Sequence, residues 1–348
     1  MCMIKKQRAV ANMVTIKQIA QETGYSISTI SIVLRGMAVE RKIPESTQKI
    51  VLDAARRLGY QPNVSARRLR SRQAAKKNIA VYWATNFETA LVANLLRGLQ
   101  RYVLEQKWYA EVVVCPYKPG HLEESANQRS LNMYSGMILC TASKPDLEYM
   151  EQLDTSCPVV LYNRVSKRYP SVRVDNVEVG RYAARKFLQN GCSRFIAVDD
   201  VRLVEYALER IAGFEEVLLA AGVTPQRLRL PENSIAAGRN GALQLELDES
   251  LHTGIFVNTD NIAFGMHAGL NERGFRMPDT VELLSVGTHE KDLYHCLTPS
   301  LSVVEIPIEE IAYRCARLMD DLLENRLLGP VQTMVPFAPH ERGTTAGV

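Results

Sequence analysis

Few residues in this 348-residue chain have the spacing that catalysis requires. The sequence has no Gly-x-x-x-x-Gly-Lys phosphate loop, no Gly-x-Ser-x-Gly elbow and no His-Glu-x-x-His pair. Its six histidines (His121, His252, His267, His289, His295 and His340) are dispersed, and His295-Cys296 near His289 is too thin a set to hold a metal. Asp320-Asp321 lies in a helical pattern and reads as a solvated face. Neither an enzyme, a metal centre nor a cofactor is expected. The remaining chemistry is recognition. A hydroxyl-rich run, Ser26-Ile27-Ser28-Thr29-Ile30-Ser31-Ile32, and the stretch Glu209-Arg210-Ile211-Ala212-Gly213-Phe214 stand out. A guanidinium fork such as that of Arg210 suits vicinal hydroxyls and carboxylates alike.

The elements that must carry these groups differ sharply in charge. Residues 1–78 hold 16 Lys or Arg against 4 Asp or Glu, a local charge of +12, whereas the remainder carries −8. A small basic module on an acidic body is aimed at a polyanion. Hydrophobic residues make up 46% and charged residues 23%, the usual globular mix, and the length suits two or three domains. No apolar run approaches the roughly 18 residues that cross a bilayer, so no membrane span is expected. Met1–Asn12 lacks a secretory apolar core. Seven scattered cysteines (Cys2, Cys115, Cys140, Cys157, Cys192, Cys296 and Cys315), with no Cys-x-x-Cys pair, read as reduced thiols in the cytoplasm.

Within the basic module, Thr15 is a good N-cap for a helix that stops at Gly24. Ser26 caps a second helix, in which Ile30, Val33 and Leu34 face inward while Ser28, Thr29, Ile32 and Arg35 face elsewhere. A third helix follows Pro44, with Ile50, Val51, Ala54, Ala55 and Leu58 on its apolar face and Gly59 at its end. Two short helices joined by a glycine-containing turn form a helix-turn-helix, whose second helix lies in a DNA major groove.

From Asn78 onward, short apolar strands alternate with helices. The strands are 79–83, 112–115, 136–140, 159–162, 195–198, 254–257 and 282–287, and the helices are near 91–106, 206–221 and 261–273. This is the pattern of parallel sheets with right-handed crossovers. Two such sheets enclose a cleft at the carboxyl ends of their strands.

Thr15–Ala20, Gly24–Ser31, Leu58-Gly59-Tyr60-Gln61-Pro62-Asn63 and Ala66-Arg67-Arg68-Leu69-Arg70 together resemble the LacI/GalR family of bacterial repressors, and the likeness runs through almost the whole chain. The resemblance implies an N-terminal all-α helix-turn-helix DNA-binding domain plus an α/β two-lobed sensor like a type I periplasmic binding protein. The expected parts are a flexible extension (1–13), the helix-turn-helix domain (14–62), a hinge helix and linker (63–77) and an effector-binding and dimerisation domain (78–348). In the last, one lobe covers about 78–173 and 304–332, the other about 174–303 and 333–348. For DNA, the resemblance points to Thr15, Ser26, Ile27, Ser28, Thr29, Ser31 and Ile32, with Ile27 and Ser28 as the main base readers. Asn63, Ala66 and Leu69 belong to the hinge, where Leu69 would wedge into the minor groove and unstack a base step. Ile32 departs from the family's usual arginine; it can touch a thymine methyl but donates no hydrogen bond.

The same resemblance places an effector site at Asn163, Arg164, Arg210, Thr259, Asp260 and His289, with Trp83 and Phe87 as stacking platforms. Asn163 and His289 stand where the family commonly has Asp, which makes the pocket less negative. Glu88-Thr89-Ala90-Leu91 replaces the family's Asn-Pro-Phe motif. The implied partners are a double-stranded DNA operator, a small-molecule effector (a sugar, sugar acid or related metabolite) and a second copy of the chain. A tail without leucine heptads favours a dimer over a larger coiled-coil assembly. Two other readings share parts of this pattern: an exported transport-binding protein, which leaves the basic module unexplained, and an architectural DNA-binding protein whose body ignores ligands.

Overall fold

Thr15 opens the first helix with a reciprocal capping box: its Oγ1 accepts from Gln18 N at 3.4 Å, and Gln18 Oε1 accepts from Thr15 N at 2.7 Å. The computed structural model describes residues 15–34, 38, 41–58, 76–85, 89–202, 204–288, 291–327 and 329–347. These fall into two compact units, 1–70 and 71–348.

The first unit holds α1 (Ile16–Thr23), α2 (Ile27–Leu34) and α3 (Glu45–Leu58). Gly24 ends α1 with φ 74°, the left-handed conformation that a Cβ disfavours. Its small core is Ile19, Ile30, Val33, Ala38, Val51, Ala54 and Ala55, with Leu34 and Leu58 partly buried against it. Ile50, expected on the inward face, is instead 48% exposed. Val51, one residue on, is fully buried, and the roughly 100° step between neighbours turns Ile50 outward. Pro44 precedes α3 and accepts from Gln48 N at 3.1 Å, so it stands one position before the first helical residue.

The second unit contains two six-stranded sheets. The first comprises β1 (Lys77–Ala84), β2 (Ala110–Tyr117), β3 (Gly136–Cys140), β4 (Val159–Tyr162), β5 (Ser171–Arg173) and β11 (Gln332–Met334), in the order β11-β5-β4-β3-β1-β2, all parallel. The second comprises β6 (Arg194–Asp200), β7 (Gln226–Leu230), β8 (Thr253–Val257), β9 (Val281–Gly287), β10 (Ser302–Glu305) and β12 (Ala338–His340), in the order β12-β10-β9-β8-β6-β7. Only β12 runs antiparallel to its neighbour. Every residue of β3, β8 and β9 is buried, as helix-covered parallel strands require.

The helices are α4 (Thr89–Glu105), α5 (Leu122–Ser125), α6 (Gln128–Leu131), α7 (Lys144–Gln152), α8 (Asn176–Gln189), α9 (Glu205–Ala220), α10 (Ile235–Gln244), α11 (Asp260–Glu272), α12 (Lys291–His295) and α13 (Ile308–Leu323). The chain passes from the first lobe to the second after β5, returns after β10, and crosses again between β11 and β12. The return falls after Glu305 and the last crossing after Met334, where β10 and β11 complete their pairings.

Asp320 is not on a solvated face. Lys77 Nζ lies 3.0 Å from its Oδ1, Arg326 Nη2 is 2.8 Å from Oδ2, and Tyr102 donates to Oδ2 at 3.2 Å. The start of β1 and the end of α13, far apart in sequence, are thereby held together; burial alone would raise the Asp320 carboxyl, but Lys77 and Arg326 keep it below its usual range.

Candidate functional site

In both sheets the strand order reverses beside the first strand, between β1 and β3 and between β6 and β8. Chain segments leaving the carboxyl ends at such a point diverge and leave a crevice. A partly open cleft lies there between the two lobes. Trp83 is next to last in β1, Thr141 follows β3, Asn163 and Arg164 follow β4, Arg202 follows β6, Asn258 and Thr259 follow β8, and Thr288 follows β9; all line it.

Two of these residues hold left-handed backbone without being glycine: Thr141 at φ 58° and Asn163 at φ 50°. For a β-branched residue this is strained, and surrounding contacts must hold it. Thr141 Oγ1 donates to the carbonyl of Cys140 at 2.6 Å and accepts from Ala84 N at 3.0 Å, tying the ends of β3 and β1. Asn163 N donates to Val172 O at 2.8 Å, and its Oδ1 accepts from Val174 N at 3.4 Å.

Arg164 is 3% exposed. Its Nε donates to Ala142 O at 2.5 Å and its Nη1 to Asn163 O at 2.7 Å, while Nη2 is buried and meets no acceptor among the described residues. Arg210, on α9, is also 3% exposed. Its Nε donates to Asn176 Oδ1 at 3.0 Å and its Nη1 to Asn258 O at 3.3 Å. Burial pulls the Arg210 guanidinium down to about 10, still charged at neutral pH, and lowers Arg164 for the same reason. The close seating of α9 depends on glycines: a Cβ on Gly180 would lie 1.8 Å from the Arg210 carbonyl oxygen, and one on Gly213 2.0 Å from that of Val177. Phe214, one turn beyond Arg210, is fully buried and stacks on Phe256 at 5.3 Å between centroids.

Thr259 donates its hydroxyl to Asn233 Oδ1 at 2.6 Å. Asp260 borders the cavity, but Thr288 N (2.7 Å), Thr288 Oγ1 (3.0 Å) and Tyr294 Oη (2.7 Å) all donate to its Oδ2. Its carboxylate therefore holds the loop after β9 in place. Asn258 Nδ2 donates to Ala207 O at 3.2 Å, and its Oδ1 is buried without a partner among the described residues.

Of the expected cleft residues, Trp83, Asn163, Arg164, Arg210, Thr259 and Asp260 come together, while Phe87 and His289 lie outside the described residues. Sequence reasoning left out Thr141, Asn258 and Tyr206. The first two directly follow the predicted strands 136–140 and 254–257, and Tyr206 stands one helical turn before Arg210; those were the available signals. Nothing in the sequence marks Arg202 or Asn233. His295 and Cys296 are exposed at the end of α12, with no third His, Cys or carboxylate beside them among the described residues.

In the first unit, α2 turns its opening residues outward: Ile27 is 45% exposed, and Ser26 and Ser28 are exposed with it. Thr29, Ser31 and Ile32 are half-buried. Ser26 Oγ accepts from Thr29 N at 3.1 Å, and Thr15 Oγ1 is taken up in its own capping box, so both side chains serve caps. Asn63, Ala66, Leu69 and Arg35 lie outside the described residues.

Residues 15–63 match the family model for bacterial regulatory proteins of the lacI family, and residues 171–345 match that of the periplasmic binding protein-like domain. The sucrose operon repressor of Klebsiella pneumoniae is 26% identical over 93% of this chain and 96% of its own length. The crystal structure of a LacI family transcription regulator from Clostridium acetobutylicum superimposes with a TM-score of 0.69 at 30% identity, over 76% of this chain and 99% of that one. The lac repressor dimer bound to operator and an anti-inducer shares the fold, with a TM-score of 0.69 at 17% identity over 97% of this chain and 100% of that one. No helix among the described residues is long and apolar enough to cross a membrane.

Proposed function

The chain belongs to the LacI family of bacterial regulatory proteins and is a transcriptional regulator rather than an enzyme, and from that premise we propose that it represses transcription as a cytoplasmic homodimer on a palindromic operator, under the control of a small molecule, a sugar or sugar derivative, held between its lobes. The observation that carries this reading is the joining in one chain of an outward-facing, basic helix-turn-helix and a cleft at the switch points of two sheets. Ile27 and Ser28 read bases through apolar and hydroxyl contacts, and the surrounding Lys and Arg supply phosphate contacts that set affinity rather than sequence. One helix-turn-helix covers a half-site, so a two-fold dimer matches a palindrome. Leu104 on α4, Tyr109 just before β2 and Val114 on that edge strand are exposed apolar residues that a second copy would cover. The effector acts by binding one lobe arrangement more tightly than another, and linkage passes that difference to DNA affinity.

The test is selection of genomic fragments by the purified chain at near-physiological salt. Recovery of a few palindromic sites supports the reading, and recovery without sequence preference overturns specific repression. Arg210→Ala should then keep operator binding and abolish the response to effector; a normal response would move the effector site elsewhere.

A further inference from the structure

Two guanidiniums buried in the cleft have no ion-paired carboxylate among the described residues. Arg164 and Arg210 approach the ring of Tyr206 at 5.3 and 4.8 Å, and neither makes an ion pair among the described residues. The nearby carboxylates are engaged elsewhere. Asp200 is gripped by Arg202 through Nε at 2.7 Å and Nη2 at 2.8 Å. Glu209 accepts from Asn176 at 3.1 Å and faces Arg173 at 3.8 Å. Asp260 holds Thr288 and Tyr294, and Glu205 is exposed. A buried cation without an anion is strongly unfavourable, and an oxyanion answers it with charge-assisted, bidentate hydrogen bonds. Trp83, Leu91, Ile306 and Ile308 add an apolar wall, and Asn258 lines the cleft beside them.

We propose that the effector is an anion: a hydroxylated small molecule whose carboxylate or phosphate oxygens accept from the guanidiniums of Arg164 and Arg210, both of which line the cleft. The inference rests on the effector-binding reading above and names the chemical class of its ligand. Asn163 is the specificity-determining position: its carbonyl accepts from Arg164 Nη1 at 2.7 Å, so a carboxylate on this residue would place negative charge next to that guanidinium.

Calorimetric titration of the full chain with matched pairs tests this: D-gluconate against D-glucitol, D-glucuronate against D-glucose, and D-ribose 5-phosphate against D-ribose, with inorganic phosphate as the bare probe. The acid of at least one pair should bind about tenfold or more tightly than its neutral partner, a Kd ratio equivalent to about 1.4 kcal/mol. The pair that responds tells carboxylate from phosphate. Asn163→Asp keeps the acceptor for Val174 N and an amino acid tolerant of positive φ, and it should erase the acid preference. Arg164→Gln should do the same. Neutral members that bind as tightly as their acids in all three pairs overturn the proposal. So does a variant that retains the preference, or the absence of saturable binding by every acid and by phosphate in the millimolar range. Failure of operator selection would remove the repressor reading and leave these titrations standing; a neutral preference would remove only the anion.

Discussion

Asn94 Nδ2 donates to the backbone carbonyl of Thr288 across 3.1 Å, so α4 of the first lobe is hydrogen-bonded to the loop after β9 of the second. Thr288 is in turn fixed by Asp260, which places this bridge on a supported loop at the cavity wall. A bond that spans the cleft favours one lobe arrangement over others, and that difference is what an effector exploits.

Asn94→Ala removes the bridge. A hydrogen bond of this kind contributes about 1 kcal/mol, so an effector that needs this lobe arrangement should bind about fivefold more weakly. Calorimetry with the anion that the chain binds checks this. Equal affinity in the two proteins would show that the bridge does not bias the lobe arrangement.

Gly180→Ala tests how Arg210 is positioned. The added methyl would meet the Arg210 carbonyl, and α8 and α9 must separate to admit it. Overpacking of this kind costs about 1–3 kcal/mol, readable as a lower urea midpoint, and effector affinity should fall with it. A variant of unchanged stability would mean that the two helices have slack between them.

His267 makes stability depend on pH. Its Nε2 lies 2.7 Å from the carbonyl of Pro299 and must carry the proton there, while Nδ1 faces Asn271 Nδ2 at 3.3 Å. Burial lowers its pKa below the ordinary value of 6.5, only partly opposed by the bond to Pro299. The unfolded chain therefore takes up the proton first. Stability should fall as pH drops below about 6.5 and level off beneath the folded-state pKa. Urea unfolding between about pH 7.5 and 5.5, above the carboxylate range, should show this loss in the natural chain and less of it in His267→Gln. Equal losses in both would assign the slope to other groups.

Leu69→Ala addresses the proposed hinge wedge. Removing an apolar wedge should weaken operator binding by about tenfold or more. The salt dependence, with a log–log slope of about −0.9 per phosphate neutralised, should stay the same because no phosphate contact is lost. Effector binding should not change. Operator affinity equal to that of the natural chain would remove Leu69 from the minor groove.

The sequence by itself determined the two-part architecture. Helix caps at Thr15 and Ser26, the glycine stop at Gly24 and the apolar spacing of Ile19, Ile30, Val33 and Val51 are local signals, read within one or two turns of the chain. The strands at the centre of each sheet were legible for a similar reason, since burial on both faces demands a continuous apolar run. β5, β7, β10, β11 and β12 were not recognised; β7 and β11 are edge strands with several exposed residues, and polarity there hides the strand. At the cleft, residue types announced Arg210 but not its surroundings. That Asp260 faces Thr288 and Tyr294, that Asp200 neutralises Arg202, and that Asp320 is held by Lys77 follow from contacts between segments brought together only by folding. The tertiary structure thus decided which charges are already paired and which, at Arg164 and Arg210, still face the cleft. Charge pairing acts over a few ångströms in space, and separation along the chain does not record it.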